Sequence, residues 1–259
     1  MVYCYTRKFL LLLLLFIFFK IIPDFAQQRI KEFYLSDWSQ NKKKWELRGK
    51  KAFIFDKYVD IEKLEAKYFL KNKIVNLKSD KGRIIKPMKE VYLKDNVKVK
   101  TNDGISLFSS SLAWKNNLLF TEDKVELERD NLRIVAKGLK AEENLKKVNF
   151  QKEVKVRLSQ EDNKVVITCS GPLEIDYNQA KAIFNKDVVV TSKEGKIEAD
   201  KGIVYFDKSS RTIIKIVCEG NVKIEREGNV SFAEKATYLG KEKKIILEGN
   251  PRLVIFPKQ

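Results

Sequence analysis

The chain has 259 residues, of which 44% are hydrophobic and 34% are charged, a composition typical of a folded globular protein. Its 52 lysine and arginine residues exceed its 35 aspartate and glutamate residues, so the formal net charge is +17. There is no histidine, which excludes serine–histidine and cysteine–histidine nucleophile pairs, imidazole acid–base catalysis and histidine metal ligands. The three cysteines, Cys4, Cys169 and Cys218, are too few and too scattered for a zinc cluster or a disulfide-dense scaffold.

The chain begins with an apolar segment. Arg7 and Lys8 precede an unbroken apolar run over residues 9–19, which is the order of a basic region and a hydrophobic region in a signal sequence. The Asp-Phe-Ala sequence at 24–26 does not supply the small residues that a cleavage site needs. We therefore predict that residues 1–23 are an uncleaved single-pass transmembrane helix, with a removed signal or a buried helix as alternatives. The chain that follows is then expected outside the inner membrane.

The segment after this anchor is polar. Residues 24–44 end in three consecutive lysines, and we predict a polar stalk between the membrane and the folded part. The next segment has two interpretations. Alternate apolar residues from Leu64 to Leu70 indicate a strand, whereas the spacing of Ile61, Leu64 and Tyr68 also fits one face of a helix. We predict a strand.

Five short segments repeat one pattern, in which aliphatic residues alternate with residues that are nearly always polar. The segments are 97–100, 125–128, 154–157, 188–191 and 222–225, with a weaker sixth copy at 251–256. A period of two residues is typical of a half-buried strand. Because the copies recur every 28 to 34 residues, the sequence predicts an all-β protein, a β-solenoid-like stack or extended roll of antiparallel strands.

A short polar stretch precedes most copies. Leu93-Lys-Asp-Asn and Phe184-Asn-Lys-Asp are examples, each with an apolar residue in front. Asn and Asp accept the backbone conformations of tight turns, so we predict a turn before each repeated strand.

The repeated aliphatic residues predict an apolar stripe along the stacked units. They either fill a closed core or line an open groove, and the natural ligand of such a groove is an acyl chain, whose burial yields about 0.8 kcal/mol per methylene. Cations such as Lys98 and Arg157 alternate with the stripe and suit a ligand that also carries phosphates. The predicted groove residues are Val97, Val99, Val125, Leu127, Val154, Val156, Val188, Val190, Val222 and Ile224.

The end of the chain supplies a candidate docking edge. Residues 251–256 form a short apolar strand, and an unpaired terminal strand can accept a partner's strand through main-chain hydrogen bonds. The predicted docking residues are Leu253, Val254 and Ile255.

Other functions have weaker support. Nucleic-acid binding fits the charge, but an anchored chain outside the inner membrane does not meet nucleic acid, and the strands carry no aromatic stacking platform. The acidic pairs Glu142-Glu143, Glu161-Asp162 and Glu126/Glu128 are expected in turns or on outward faces. We therefore predict no enzyme, no cofactor and no metal site, with a hydrolase as the last alternative.

Two cysteines fall at apolar strand positions. Cys169 and Cys218 are predicted to be buried thiols, and their spacing leaves a disulfide between them open.

At the level of motifs the chain resembles two related families. Trp-Glu-Leu-Arg-Gly-Lys-Lys-Ala at 45–52, after a single N-terminal span, resembles the opening of the LptC proteins, the membrane-anchored periplasmic component of lipopolysaccharide export. From Pro172 onward the sequence is similar instead to the OstA/LptA-type periplasmic domain. The motifs that carry the first resemblance further are at 104–107, 112–114, 125–127 and 138–141, and those that carry the second are at 182–190, 197–202 and 218–224.

The resemblance implies a twisted β-jellyroll whose interior receives the acyl chains of lipid A. It divides the folded part into an LptC-like jellyroll over 45–170 and an OstA/LptA-like continuation over 171–259. The implied function is non-enzymatic lipopolysaccharide transport from an inner-membrane ABC transporter complex toward the outer membrane. A periplasmic LptA-like protein or the outer-membrane translocon would dock by edge-strand pairing. The alternative is an anchored periplasmic scaffold protein with a closed core and no lipid ligand.

Overall fold

The computed structural model describes residues 28–39, 42–70, 73–88, 90–142, 146–160, 163–208, 212–242 and 244–256. Within these ranges the chain forms β-strands and no helix, which confirms the all-β prediction. The strands are β1 (Gln28–Ser39), β2 (Lys42–Ile54), β3 (Tyr58–Leu70), β4 (Lys73–Ile85), β5 (Glu90–Thr101), β6 (Ser106–Lys115), β7 (Leu118–Arg129), β8 (Leu132–Glu142), β9 (Lys147–Gln160), β10 (Asn163–Cys169), β11 (Leu173–Asp176), β12 (Lys181–Ser192), β13 (Gly195–Phe206), β14 (Ile213–Arg226), β15 (Asn229–Leu239), β16 (Lys244–Glu248) and β17 (Arg252–Val254).

The sheet is an antiparallel meander. From β1 to β9, and again from β12 to β15, each strand pairs with the next one along the chain. Strands β10 and β11 both pair with β9 on one side and β12 on the other. Together they occupy the position of a single strand that is interrupted between them. Strands β16 and β17 both pair with β15 in the same way.

Most long strands are bent near the middle. In β5 the register shifts between Lys94 and Val97, where Asp95 and Asn96 have positive φ angles. Such β-bulges bend a strand and increase its twist. The polar stretches that we predicted as turns before the repeated strands are these bends, so that prediction is wrong. Asn and Asp tolerate positive φ in a bulge as readily as in a hairpin turn, and sequence alone does not separate the two.

The core lies between the two halves of the bent sheet. Val125 follows the bend of β7, whereas Leu139 follows the bend of β8 and Phe150 precedes that of β9, yet all three belong to one buried cluster. Two further clusters extend the core, one over β2–β6 and the other over β13–β15. The sheet therefore folds over along its line of bends and buries apolar side chains along its length.

Part of the predicted stalk belongs to this sheet. Strand β1 pairs with β2, with Phe33 opposite Gly49 and Leu35 opposite Leu47. Phe33 packs against the core, and its burial stabilises the pairing of β1 with the sheet. The lysines and polar residues around it had suggested a linker, so the stalk prediction is wrong for this segment. The ambiguous segment is β3, as the strand interpretation predicted.

The predicted anchor, residues 1–23, lies outside the described residues. In the part of the chain that the structure describes, no helix has the length and apolar character needed to cross a membrane.

Candidate functional site

The bends divide the sheet into two halves that face each other. Half A comprises the half-strands that end in the hairpins at 130–131 and 193–194, and half B comprises those that end in the hairpins at 116–117 and 177–180. All ten predicted groove residues lie on half A, and all belong to the buried clusters or pack against them.

Strand register joins half of these residues into one continuous line, which we call row A. It crosses ten strands, and at the usual strand spacing of about 4.8 Å it is about 43 Å long. Row A consists of Leu77, Val99, Leu107, Leu127, Ile134, Val156, Ile167, Val190, Ile197 and Ile224. Every side chain in it is aliphatic, and no pairing along it is broken.

Burial changes with distance from the bend. The predicted residues nearest the bend are at most 2% exposed, so they form a packed floor; they are Val97, Val125, Val154, Val188 and Val222. Five side chains of row A are also buried, at 2–9% exposure: Leu107, Ile134, Val156, Ile167 and Ile224. The other five, among them Val99, Leu127 and Val190, are partly exposed. The apolar interior is thus closed at the bend and more open toward the hairpins of half A.

The sequence reasoning missed the opposite wall, which half B supplies. Register joins its residues into a second line, which we call row B: Leu139, Phe150, Leu173, Phe184, Gly202, Cys218, Ala236 and Leu247. The signal was available in the sequence. Leu93, Phe150, Phe184 and Cys218 each precede a repeated valine by four residues, a spacing that keeps both residues on one face of a strand.

The two cysteines inside the sheet are buried free thiols, as predicted. Burial raises the pKa of each to about 11. Cys169 lies on half A in β10, whereas Cys218 lies on half B in β14, with β12 and β13 between them. Two intervening strands separate the thiols beyond the reach of a disulfide, since cysteine Cα atoms more than about 7 Å apart cannot be bridged.

One of the acidic pairs, Glu126 and Glu128, forms ion pairs within the sheet. Glu126 lies 2.5 Å and Glu128 3.5 Å from the guanidinium of Arg133 on the outward face. Glu143, Glu161 and Asp162 lie outside the described residues. Among the described residues, no group of three or more acidic or cysteine side chains is placed to hold a metal ion.

Two adjacent serines in β6 also have a structural role. Ser110 and Ser111 donate hydrogen bonds of 2.7 and 2.6 Å to the Asp123 carboxylate and lower its pKa. These contacts join the bends of β6 and β7, so the serines hold backbone geometry.

Both ends of the sheet present strand edges without a partner among the described strands. At the C-terminal end, Leu253, Val254 and Ile255 are 61%, 42% and 66% exposed, and β17 pairs only with β15. At the N-terminal end, β1 pairs only with β2. An exposed apolar edge of this kind can accept a further strand.

These features define an elongated antiparallel β protein with an apolar interior and two open edges. Residues 39–159 match the family model for lipopolysaccharide assembly, LptC-related, and residues 168–258 match that for the LptA/(LptD N-terminal domain) LPS transport protein. The chain therefore combines an LptC-related region with an LptA/LptD N-terminal region, as the motifs indicated. Both family models describe proteins of lipopolysaccharide assembly or transport, and the two matches follow each other along residues 39–258.

Comparison with curated proteins gives no match. Among solved structures, the chain is similar to the crystal structure of LptH from Pseudomonas aeruginosa, titled as the LptA homologous periplasmic component of the conserved lipopolysaccharide transport device. The identity is 9%, the alignment covers 71% of this chain and 95% of that one, and the TM-score is 0.20.

Proposed function

We propose that this protein carries lipopolysaccharide by holding its acyl chains between half A and half B. The observation that supports this most is the continuity of row A from β4 to β14, which spans both family regions. Acyl chains need no oriented polar partner, and each methylene moved out of water yields about 0.8 kcal/mol. A uniform apolar row offers similar affinity at successive positions, so lipid can advance along it without local chemistry.

The transport path then runs through one covalent chain. Strand β9, at the end of the LptC-related region, pairs with both β10 and β11, and these pair with β12 of the following region. A domain boundary near residues 170–171 would thus fall inside a continuous hydrogen-bonded sheet. Lipid that enters over 45–170 would reach 171–259 without leaving the apolar interior.

The ends of the path define the partners that we propose. Residues 1–23 would anchor the chain in the inner membrane as a single span, next to an ABC transporter complex that supplies lipid and energy. The edge formed by Leu253, Val254 and Ile255 would add a strand of a periplasmic LptA-like protein or of the outer-membrane translocon.

Site-specific photo-crosslinking in cells tests the lipid site. Val99 is partly buried in row A, and its neighbour Lys98 is exposed on the opposite face of β5, so the two positions form a matched pair. A crosslinker at Val99 is expected to capture lipopolysaccharide, and one at Lys98 is not. Equal capture at both positions, or capture at Lys98 alone, would overturn the proposal.

One observation favours a second candidate, an anchored scaffold with a closed core. The floor residues, among them Val125 and Val188, are at most 2% exposed, as in an ordinary packed interior. The two candidates differ in their predictions for row A. If the core is closed, a charged side chain in row A should destabilise the protein as much as one on the floor. If row A lines a lipid site, the charged variant should stay folded.

A further inference from the structure

A cavity of about 640 Å³ lies at the tips of half A, around the hairpin at 130–131. Its volume is within the range of about 300–1,000 Å³ that is usual for small-molecule sites. It extends from Gly104 in the β5–β6 turn to Lys164 at the start of β10. The β7–β8 hairpin turns at 130–131, whereas β9 continues beyond that level to Gln160. The cavity lies where the shorter β7–β8 hairpin leaves space beside its longer neighbour.

The charges around this cavity favour an anion. Four cationic side chains line it, Arg129, Arg133, Arg157 and Lys164, against two carboxylates. Arg133 is ion-paired on the outward face, but Arg157 and Lys164 form no ion pair with the residues that the structure describes. In addition, Arg157 lies directly opposite Arg133 in the sheet. Glu126 and Glu128 offset the charge of Arg133 but form no ion pair with Arg157, so a like charge remains beside it.

Arg129 provides the second observation. Its side chain is only 17% exposed, and its Nη2 donates a 3.1 Å hydrogen bond to Asp103. Its Nε is buried without a hydrogen-bond partner, and the Asp130 carboxylate is 3.9 Å away. A buried donor without an acceptor is costly, and a ligand oxygen in the cavity would satisfy it.

The cavity also meets the apolar interior. Arg129 pairs with Leu132, and Leu132 pairs with Leu158. Both leucines pack against the core cluster, and Leu132 lines the cavity as well. A molecule with its hydrocarbon part between the halves would therefore place its polar part among the arginines.

We propose that this cavity binds a phosphorylated sugar, the polar head of the lipid whose acyl chains lie between the halves. The inference rests on the proposed function and adds a headgroup site to it. Guanidinium groups bind phosphate oxygens through paired hydrogen bonds, and Arg129 and Arg157 supply that chemistry. The Glu128 and Asp130 carboxylates lie beside Arg133 and Arg129, and carboxylate oxygens can also accept hydrogen bonds from sugar hydroxyl groups.

The test measures binding of two lipids to the purified full-length protein in detergent: lipid A with its phosphates, and the same lipid after phosphatase treatment. Arg157→Gln removes a cation that has no ion-pair partner among the described residues, so the fold is preserved. Lys155→Gln is the matched control, since Lys155 is exposed on the same strand and face but does not line the cavity. We expect Arg157→Gln to weaken binding of the phosphorylated lipid about tenfold, with binding of the dephosphorylated lipid unchanged.

Lys155→Gln is expected to change neither affinity by more than about twofold. Arg129→Gln should likewise weaken binding of the phosphorylated lipid only. The melting temperature of this variant shows whether weaker binding reflects the lost guanidinium or a loss of folded protein. Equal affinity of the wild type for the two lipids, or equal effects of Arg157→Gln and Lys155→Gln, would overturn the headgroup site while acyl binding stands. Failure of both lipids to bind the wild type would instead overturn the proposed function. Inorganic phosphate alone is the third probe. If phosphate binds saturably while the protein binds the two lipids equally, the cavity is a free-phosphate site and the headgroup assignment is overturned.

Discussion

Phe150 and Val154 lie on the same strand, one on each side of the bend at Glu153, and both are buried in one cluster, at 0% and 1% exposure. The pair spans the fold of the sheet, with Phe150 on half B and Val154 on half A. Their contact with a common core shows how one continuous strand contributes to both walls of the apolar interior.

Phe150→Ala is therefore expected to destabilise the protein strongly. The change leaves a cavity where the two walls meet, and a buried phenylalanine replaced by alanine costs about 3–5 kcal/mol. Urea unfolding measures the loss. Phe232→Ala is the control, because Phe232 is 39% exposed and its loss should cost about 0.5 kcal/mol or less. Similar losses at the two positions would show that Phe150 is not at a packed centre.

Val188 and Val190 distinguish a lipid conduit from a closed core. Val188 is 2% exposed on the floor, so Val188→Arg buries an unpaired charge and should unfold the protein. Val190 is partly exposed in row A, and Val190→Arg should leave the protein folded but remove bound lipid. Circular dichroism and lipid content are measured on both variants. Unfolding by Val190→Arg to the same extent as by Val188→Arg would favour the scaffold.

Glu46 should make stability depend on acidity. Lys43, then Lys67 and the Tyr34 hydroxyl, hydrogen-bond its carboxylate and lower its pKa from 4.5 to about 2. Because the folded-state pKa is the lower one, the stabilisation is complete above about pH 4.5 and is lost as the pH falls toward 2.

The measurement is the urea midpoint of the wild type and Glu46→Gln across that range. The wild type is expected to be the more stable at pH 7, with the difference shrinking to nothing near pH 2. Glu65→Gln is the control, since its ion pair with Lys78 is exposed and should contribute little at any pH. A difference for Glu46→Gln that is constant with pH would contradict the role of the ionised carboxylate.

Cys169 and Cys218 should resist thiol reagents in the folded protein. Burial raises the pKa of both to about 11, so the reactive thiolate is scarce at neutral pH and access is blocked. Peptide mapping after maleimide treatment should find both unmodified in the native state and both labelled in urea. Rapid native labelling, or a disulfide between them, would contradict the packing described.

The C-terminal edge is tested with a double lysine variant. Leu253 and Ile255 are exposed, so Leu253→Lys with Ile255→Lys should not change stability, yet it should block strand addition by an LptA-like partner. Ile214→Lys is the matched control, because Ile214 is 47% exposed but lies on β14, which is paired on both sides. Crosslinking from Val254 to the partner reports the outcome, and undiminished crosslinking in the double variant would rule out docking at this edge.

Much of this architecture could be read from the sequence, and the failures have physical causes. The two-residue period correctly predicted strands at Val97, Val125 and Val154, because side chains of a half-buried strand alternate between faces. The bends were mistaken for turns, since Asp95 and Asn96 suit both. That error hid row B, because Phe150, Phe184 and Cys218 stand directly before the bends that were taken for turns.

The cationic cavity could not be found in the sequence at all. Gly104, Arg129 and Arg157 are distant along the chain, and only strand register brings them together. Nothing in the local pattern distinguishes Arg157, which faces the cavity, from Lys155 beside it.

The most direct test of the account is the lipid content of the full-length protein purified from the envelope, measured by mass spectrometry. The wild type should retain lipopolysaccharide in a stoichiometric amount, and folded Val190→Arg protein should retain almost none. Wild-type protein that is folded and free of lipid, or equal retention by the variant, would contradict the claim that acyl chains lie between the two halves of the sheet.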